Sequence, residues 1–281
     1  MNMITACIDG SAISTSVCDA AAWAGLRLDA PLKLLHVLEK TNIPAREDLS
    51  GAIGLGSREH LLDELVQLDE QRGKLALEHG KHMLDDAETR VTSAGVKQVE
   101  KLQRHGSLLE SLQTVEEDTR IFVMGRLGEG HDINSQALGA HLETVVRGVS
   151  TPLLITVGEF TAPKNFMIAY DGSKTAQDAL DRFVDSPLLK GLSGYLVMVG
   201  GEKEQAQLDH AANTLKQHGH DIEAHLLQGN VVESLEQFKQ QHNIELMVMG
   251  AFGHSRLREL FVGSNTAKVM SNSNIPLLVL R

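Results

Sequence analysis

Four residues near the carboxyl end of this chain have the types and spacing needed to hold a phosphate. Gly250, Gly253, Gly263 and Ser264 stand as Gly-x2-Gly-x9-Gly-Ser, directly after the apolar run Leu246–Met249. Glycine lets a backbone turn sharply and approach a bound group with no Cβ in the way. Gly263-Ser264-Asn265-Thr266 leads into a helical stretch, Ala267–Ser271. The unpaired N–H groups and dipole of a helix start favour an anion. Ser264 and Thr266 add hydroxyl donors. Two glycines three apart are, by themselves, better explained by a turn; the argument rests on the company they keep.

That company is a repeat. Asp9-Gly10-Ser11 and Asp171-Gly172-Ser173 each close an apolar run, and Gly106/Gly229, Gly125/Gly250 and Pro152/Pro276 recur in the same order. The offsets are 162, 123, 125 and 124 residues, so the first copy carries about 39 extra residues between its first and third strands. Two domains are expected, 1–158 and 164–281, meeting where Gly, Thr and Pro interrupt the pattern. Apolar runs such as Leu32–Leu38 and Tyr195–Val199 alternate with helical stretches at Ser14–Leu28 and Arg58–Ala94. In the latter, Leu61, Leu62, Leu65 and Leu68 fall at helical spacing. Strands apolar on both faces and separated by helices predict an α/β fold: two tandem doubly wound domains, each a five-stranded, mostly parallel sheet flanked by helices. Such folds bind ligands beyond the carboxyl ends of the strands, where strand order reverses.

Composition narrows the partners. A formal net charge of −11 argues against a general nucleic-acid binder, yet backbone N–H groups can still hold an anion. No apolar stretch reaches the roughly 20 residues that span a bilayer, and the N-terminus lacks the pattern of a signal peptide. A soluble, cytoplasmic protein is expected, with Cys7 and Cys18 reduced.

The glycine spacing, the Ser after Gly263, the upstream Asp-Gly-Ser and the α/β repeat together resemble the universal stress protein family over essentially the whole chain. The resemblance implies ATP, with or without Mg2+, as ligand of the second copy, and a nucleotide-responsive regulatory role in stress tolerance. The family's adenine and ribose contacts fall on Asp171, with Gly172 beside it, and on Val199; capping of the following helix is the competing role for Asp171. Family members associate through the last strand, which predicts pairing of Pro152–Val157 with Pro276–Leu280 inside this chain. A homodimer and an unidentified protein partner are further expectations. The first copy departs from the motif. Ten residues separate Gly128 from Gly139, and Ala140 stands where a Ser or Thr belongs, so a weak or vacant site is expected there. Arg126 reads as a solvated loop residue or a compensating charge.

Other features point to less. His79, His82, His218, His220 and His225 lack a usual zinc spacing and read as solvated. His254, Arg256 and Arg258 lie inside the phosphate loop and could reach phosphates, although the family motif leaves those positions open. The segment Ser50–Ser57 is open to three roles: a lid, a partner-docking segment, or an ordered loop with no ligand. No lysine follows the glycines as in a P-loop and no water-orienting base is evident, so binding without efficient turnover is preferred. A slow ATPase or nucleotidyl-transfer enzyme, and a scaffold with vestigial sites, are the alternatives.

Overall fold

A computed structural model describes residues 2–39, 55–126, 140–250 and 264–280. The first half runs β1 (Met3–Cys7), α1 (Ser14–Leu28), β2 (Leu32–Leu38), α2 (Leu55–Ser93), β3 (Val99–His105), α3 (Leu108–Val115), β4 (Thr119–Gly125), α4 (Ala140–Gly148) and β5 (Leu153–Thr156). The second repeats it with β6 (Asn165–Ala169), α5 (Lys174–Phe183), β7 (Ser193–Val199), α6 (Gln205–Gln217), β8 (Asp221–Leu227), α7 (Val231–Gln241), β9 (Met247–Gly250), α8 (Ser264–Asn272) and β10 (Leu277–Leu280).

All ten strands join one sheet in the order β3-β2-β1-β4-β5-β10-β9-β6-β7-β8. Each half is parallel within itself. The halves meet through the antiparallel pair β5–β10, with Leu154 opposite Leu278. The predicted pairing of last strands is therefore present. Its cause is visible in the residues: Leu153, Leu154, Ile155, Leu277, Leu278 and Val279 are fully buried, and an edge of that composition left open would invite aggregation. The two outer edges are instead charged, with Glu100, Lys101 and Arg104 on β3 and Asp221 and Glu223 on β8.

Helices cover both faces. One apolar cluster joins α1, α2, α5 and α6 to the sheet, and the other joins α3, α4, α7 and α8. Each cluster contains residues of both halves. Helix α2 forms where the leucine spacing predicts a helix, but the sheet covers only part of it. Its later turns pack as expected, with Gly80, Leu84, Ala87 and Val91 buried, but Leu65 and Leu68 are exposed. The helix outruns the sheet that would have covered them.

Candidate functional site

Strand order reverses between β1 and β4 in the first half and between β6 and β9 in the second. Ala169 of β6 lies opposite Val197 of β7 on one side and Met249 of β9 on the other. Val199 and Gly250 are thus the last residues of β7 and β9, and Asp171 and Gly172 lie just past the end of β6, at the carboxyl ends of three adjacent strands. At about 4.8 Å between strands, the row is some 10 Å wide, the scale of a nucleoside. Helix α8 joins two parallel strands, β9 and β10, so it runs back along the sheet and starts at this same edge. Ser264, Asn265 and Thr266 form its first turn. Gly253 and Gly263, with His254, Arg256 and Arg258, lie outside the described residues.

Local chemistry fixes each group. Gly172 has φ of +71°, a conformation only glycine adopts freely, and its carbonyl accepts from Gln207 Nε2 on α6. Asp171 Oδ1 accepts the Ser173 N–H at 2.9 Å. Ser173, not Asp171, is the helix cap: its Oγ accepts the Ala176 N–H at 3.1 Å. Asp171 is exposed, and among the described residues its second oxygen has no partner. Val199 is half-buried and, with Leu227 and Val231, packs on the apolar cluster under α7 and α8. The edge thus presents an acceptor, an apolar wall and a helix start.

In the matching corner of the first half the Asp-Gly-Ser turn engages its aspartate more fully. Asp9 Oδ1 accepts from Ser11 N–H at 3.0 Å, Ser11 Oγ at 2.6 Å and Ser14 Oγ at 2.8 Å. Met83 of α2 packs so closely on Gly10 that a Cβ there would overlap its sulfur. A cavity of about 400 Å³ remains, lined by Glu39, Gly106, Ser107, Leu108, His141 and Thr144 among others. Glu39 Oε1 stands 3.4 Å from His141 Nδ1 and 3.4 Å from the Leu108 N–H at the start of α3. A carboxylate already takes the place of an anion there. At the Asp9/Asp171 offset of 162, the second half has Gly201 instead of Glu39.

Residues 1–156 and 163–281 match the universal stress protein family. The chain belongs to that family. A universal stress protein of Synechocystis sp. is 34% identical over 287 residues, spanning 100% of both chains. A universal stress protein from Archaeoglobus fulgidus of known structure has a TM-score of 0.73 at 18% identity, covering 99% of this chain and 97% of that one. A functionally unknown protein from Pseudomonas aeruginosa has a TM-score of 0.64 at 14% identity, covering 100% and 92%. At these identities the structural likeness concerns the fold, and the fold is that of universal stress proteins.

Arg126 and His220 sit otherwise than sequence reasoning places them, and Gln207 is a residue it did not name. Arg126 is not a solvated loop residue. It is buried, and its Nη1 donates to the carbonyls of Ser271 at 2.9 Å and Ser273 at 2.6 Å. A cation from the first half thus meets the C-terminal end of α8, where the helix dipole favours it; burial lowers its pKa from the ordinary guanidinium value. His220 is not solvated either: it is buried, with Nε2 at 2.7 Å from the Val184 carbonyl. Gln207 belongs to no motif, although its offset of 124 from Met83 matches the downstream repeat and marks it as the residue packed on the Asp-Gly-Ser turn. Among the described residues no group of three or more His, Cys, Asp or Glu could hold a metal ion, and no helix is long and apolar enough to cross a membrane.

Proposed function

We propose that the second half of this universal stress protein binds ATP, with or without Mg2+, as a regulatory ligand in the stress response, with Asp171, Gly172, Val199, Gly250, Gly253, Gly263, Ser264, Asn265 and Thr266 as the site. The observation that carries this reading is the convergence of Asp171, Val199, Gly250 and the start of α8 on one edge of the second half, while at the same edge of the first half the carboxylate of Glu39 stands where the second half has Gly201. Asp171 Oδ2 and the half-buried Val199 fit a ribose and a base; the glycine loop and the first turn of α8 fit phosphates. ATP occupancy in a cytoplasmic protein of two domains, 1–158 and 164–281, then acts on packing or partner binding.

Calorimetric titration with ATP tests the assignment. One site per chain is expected. Gly263→Val sets a branched side chain where the backbone must approach phosphate; losing one hydrogen bond to a charged group costs about 1.5–3 kcal/mol, so affinity should fall at least about tenfold. Asp171→Ala should weaken binding as well, and Gly139→Val should leave it unchanged. Binding abolished by Gly139→Val and untouched by Gly263→Val would place the nucleotide in the wrong half. No heat with any nucleotide would leave a scaffold with vestigial sites.

A further inference from the structure

The far end of α8 is held differently from that of α4, its counterpart in the first half. The carbonyl of Gly148, the last residue of α4, accepts from Gln113 Nε2 of α3 at 3.0 Å. Just beyond it, Glu116 Oε1 accepts the Thr151 N–H at 2.9 Å. Both partners belong to the same half as α4. At the offset of 123 that relates Gly106 to Gly229, Gln113 becomes Glu236 and Glu116 becomes Lys239. A carboxylate has no N–H to give a helix carbonyl. Glu236 instead pairs with Lys239 Nζ at 2.6 Å, and that ammonium also donates to Asn274 Oδ1 at 2.6 Å.

The donor to the end of α8 comes from the first half. Arg126 Nη1 reaches the carbonyls of Ser271, in the last turn, and Ser273, just past it. Its backbone is itself fixed, because the Arg126 N–H donates to the Thr156 carbonyl at 3.0 Å beside β5. The sequence provides no reciprocal donor: at the offset of 125, Ala251 stands in the place of Arg126. Arg126 also lies within Gly125-Arg-Leu-Gly128, the glycine pair whose downstream spacing departs from the phosphate motif. Helix α8 has nine residues, so it is about 13 Å long. A helix that short is marginal in water and takes its place from tertiary contacts. Between its first turn and Ser271 only Val269 and Met270 are buried. Two such contacts leave a short rod free to pivot, and the grip on one end then decides where the other points.

We propose that Arg126 is a positioning residue for the nucleotide: from the first half it fixes the far end of α8, aims the first turn at the phosphates, and so raises affinity for phosphate but not for base or ribose. This rests on the second half being the nucleotide site. The gain comes from pre-organisation of the helix rather than from contact with the ligand.

Two measurements on the full chain test it. In calorimetric titration, Arg126→Met should weaken ATP at least about fivefold, while adenosine, measured by competition, should change less than about twofold. Arg126→Lys, which keeps a charged donor, should recover most of the ATP affinity. In hydrogen exchange without nucleotide, Arg126→Met should speed exchange across residues 264–272 and leave α7 as it is. Should Arg126→Met fail to fold, Arg126→Gln carries the same comparison with a shorter donor. Equal weakening of ATP and adenosine would show a general loss of stability and overturn the proposal, as would unchanged ATP affinity or unchanged exchange in α8. A wild-type chain that binds neither ATP nor adenosine removes the nucleotide assignment itself, and this role with it. Intact wild-type binding with an indifferent Arg126→Met removes this role alone.

Discussion

The turn after β6 shows how single residues set the candidate site. Gly172 has φ of +71°, and a Cβ there would lie 2.5 Å from Gln207 Oε1 and 2.8 Å from Met198 Cε. Left-handed backbone costs an L-residue roughly 1–2 kcal/mol, and the crowding adds to it. Gly172→Ala should therefore lower the urea midpoint, with a stability loss of about 2 kcal/mol; an unchanged midpoint would show that the turn relaxes freely. The cysteines give a second test. Burial, reinforced by the nearby Asp9 carboxylate, pushes the Cys7 thiol up to about 12; burial first, then Asp19, pushes Cys18 up to about 11, against the partial opposition of Arg90. Because the folded state holds these protons more tightly than the unfolded chain, both thiols contribute stability that is complete below about pH 9 and lost as pH rises toward their folded values. Stability should thus decline above about pH 9, and alkylation of the folded protein at about pH 8 should be slow at both thiols, with two reacting after denaturation. Fast labelling of the folded protein would contradict the burial. The placing of Asp171 and Gly250 at strand ends was legible in sequence because local spacing carries it. Arg126 and His220 were not, since their carbonyl partners lie 145 and 36 residues away and no periodicity reports them.

At the scale of elements, α2 carries two glycines whose replacement should act in opposite directions. A Cβ added at Gly73 would have nothing within 4 Å, whereas one at Gly80 would overlap Gln103 Nε2 and meet His36 Cδ2 at 2.6 Å. Helix propensity alone favours alanine over glycine by about 1 kcal/mol at either position. Gly73→Ala should gain most of that in chemical denaturation, and Gly80→Ala should lose stability despite it, because the buried His36 ring cannot retreat as a surface side chain would. Equal gains at both would mean α2 does not press on β2 and β3. The spans of helix α1 and strand β2 followed from period and apolar runs, since both are covered on the faces those patterns imply. The leucines of α2 gave the helix but not its cover: helical spacing reports that a face wants cover, not that this chain supplies it.

Across the whole molecule, the continuous sheet and the two apolar clusters that cross the β5–β10 seam make the halves one mechanical unit. Arg126 reinforces the tie by holding, from the first half, the end of the helix whose other end opens the candidate phosphate site. The chain has one tryptophan, Trp23, on α1 in the first half, with its ring 5.8 Å from Phe160 in the connection between halves. Its fluorescence reports the half that is expected not to bind nucleotide, while circular dichroism reports both. In thermal unfolding the two signals should coincide, and ATP at about 100 times its dissociation constant should stabilise the fold by about 2.7 kcal/mol. The tryptophan transition should then move by as many degrees as the dichroism transition, although no ligand touches the first half. A dichroism shift with a stationary tryptophan transition would mean that the seam yields before either half does, and that occupancy of the second site is not felt across β5 and β10.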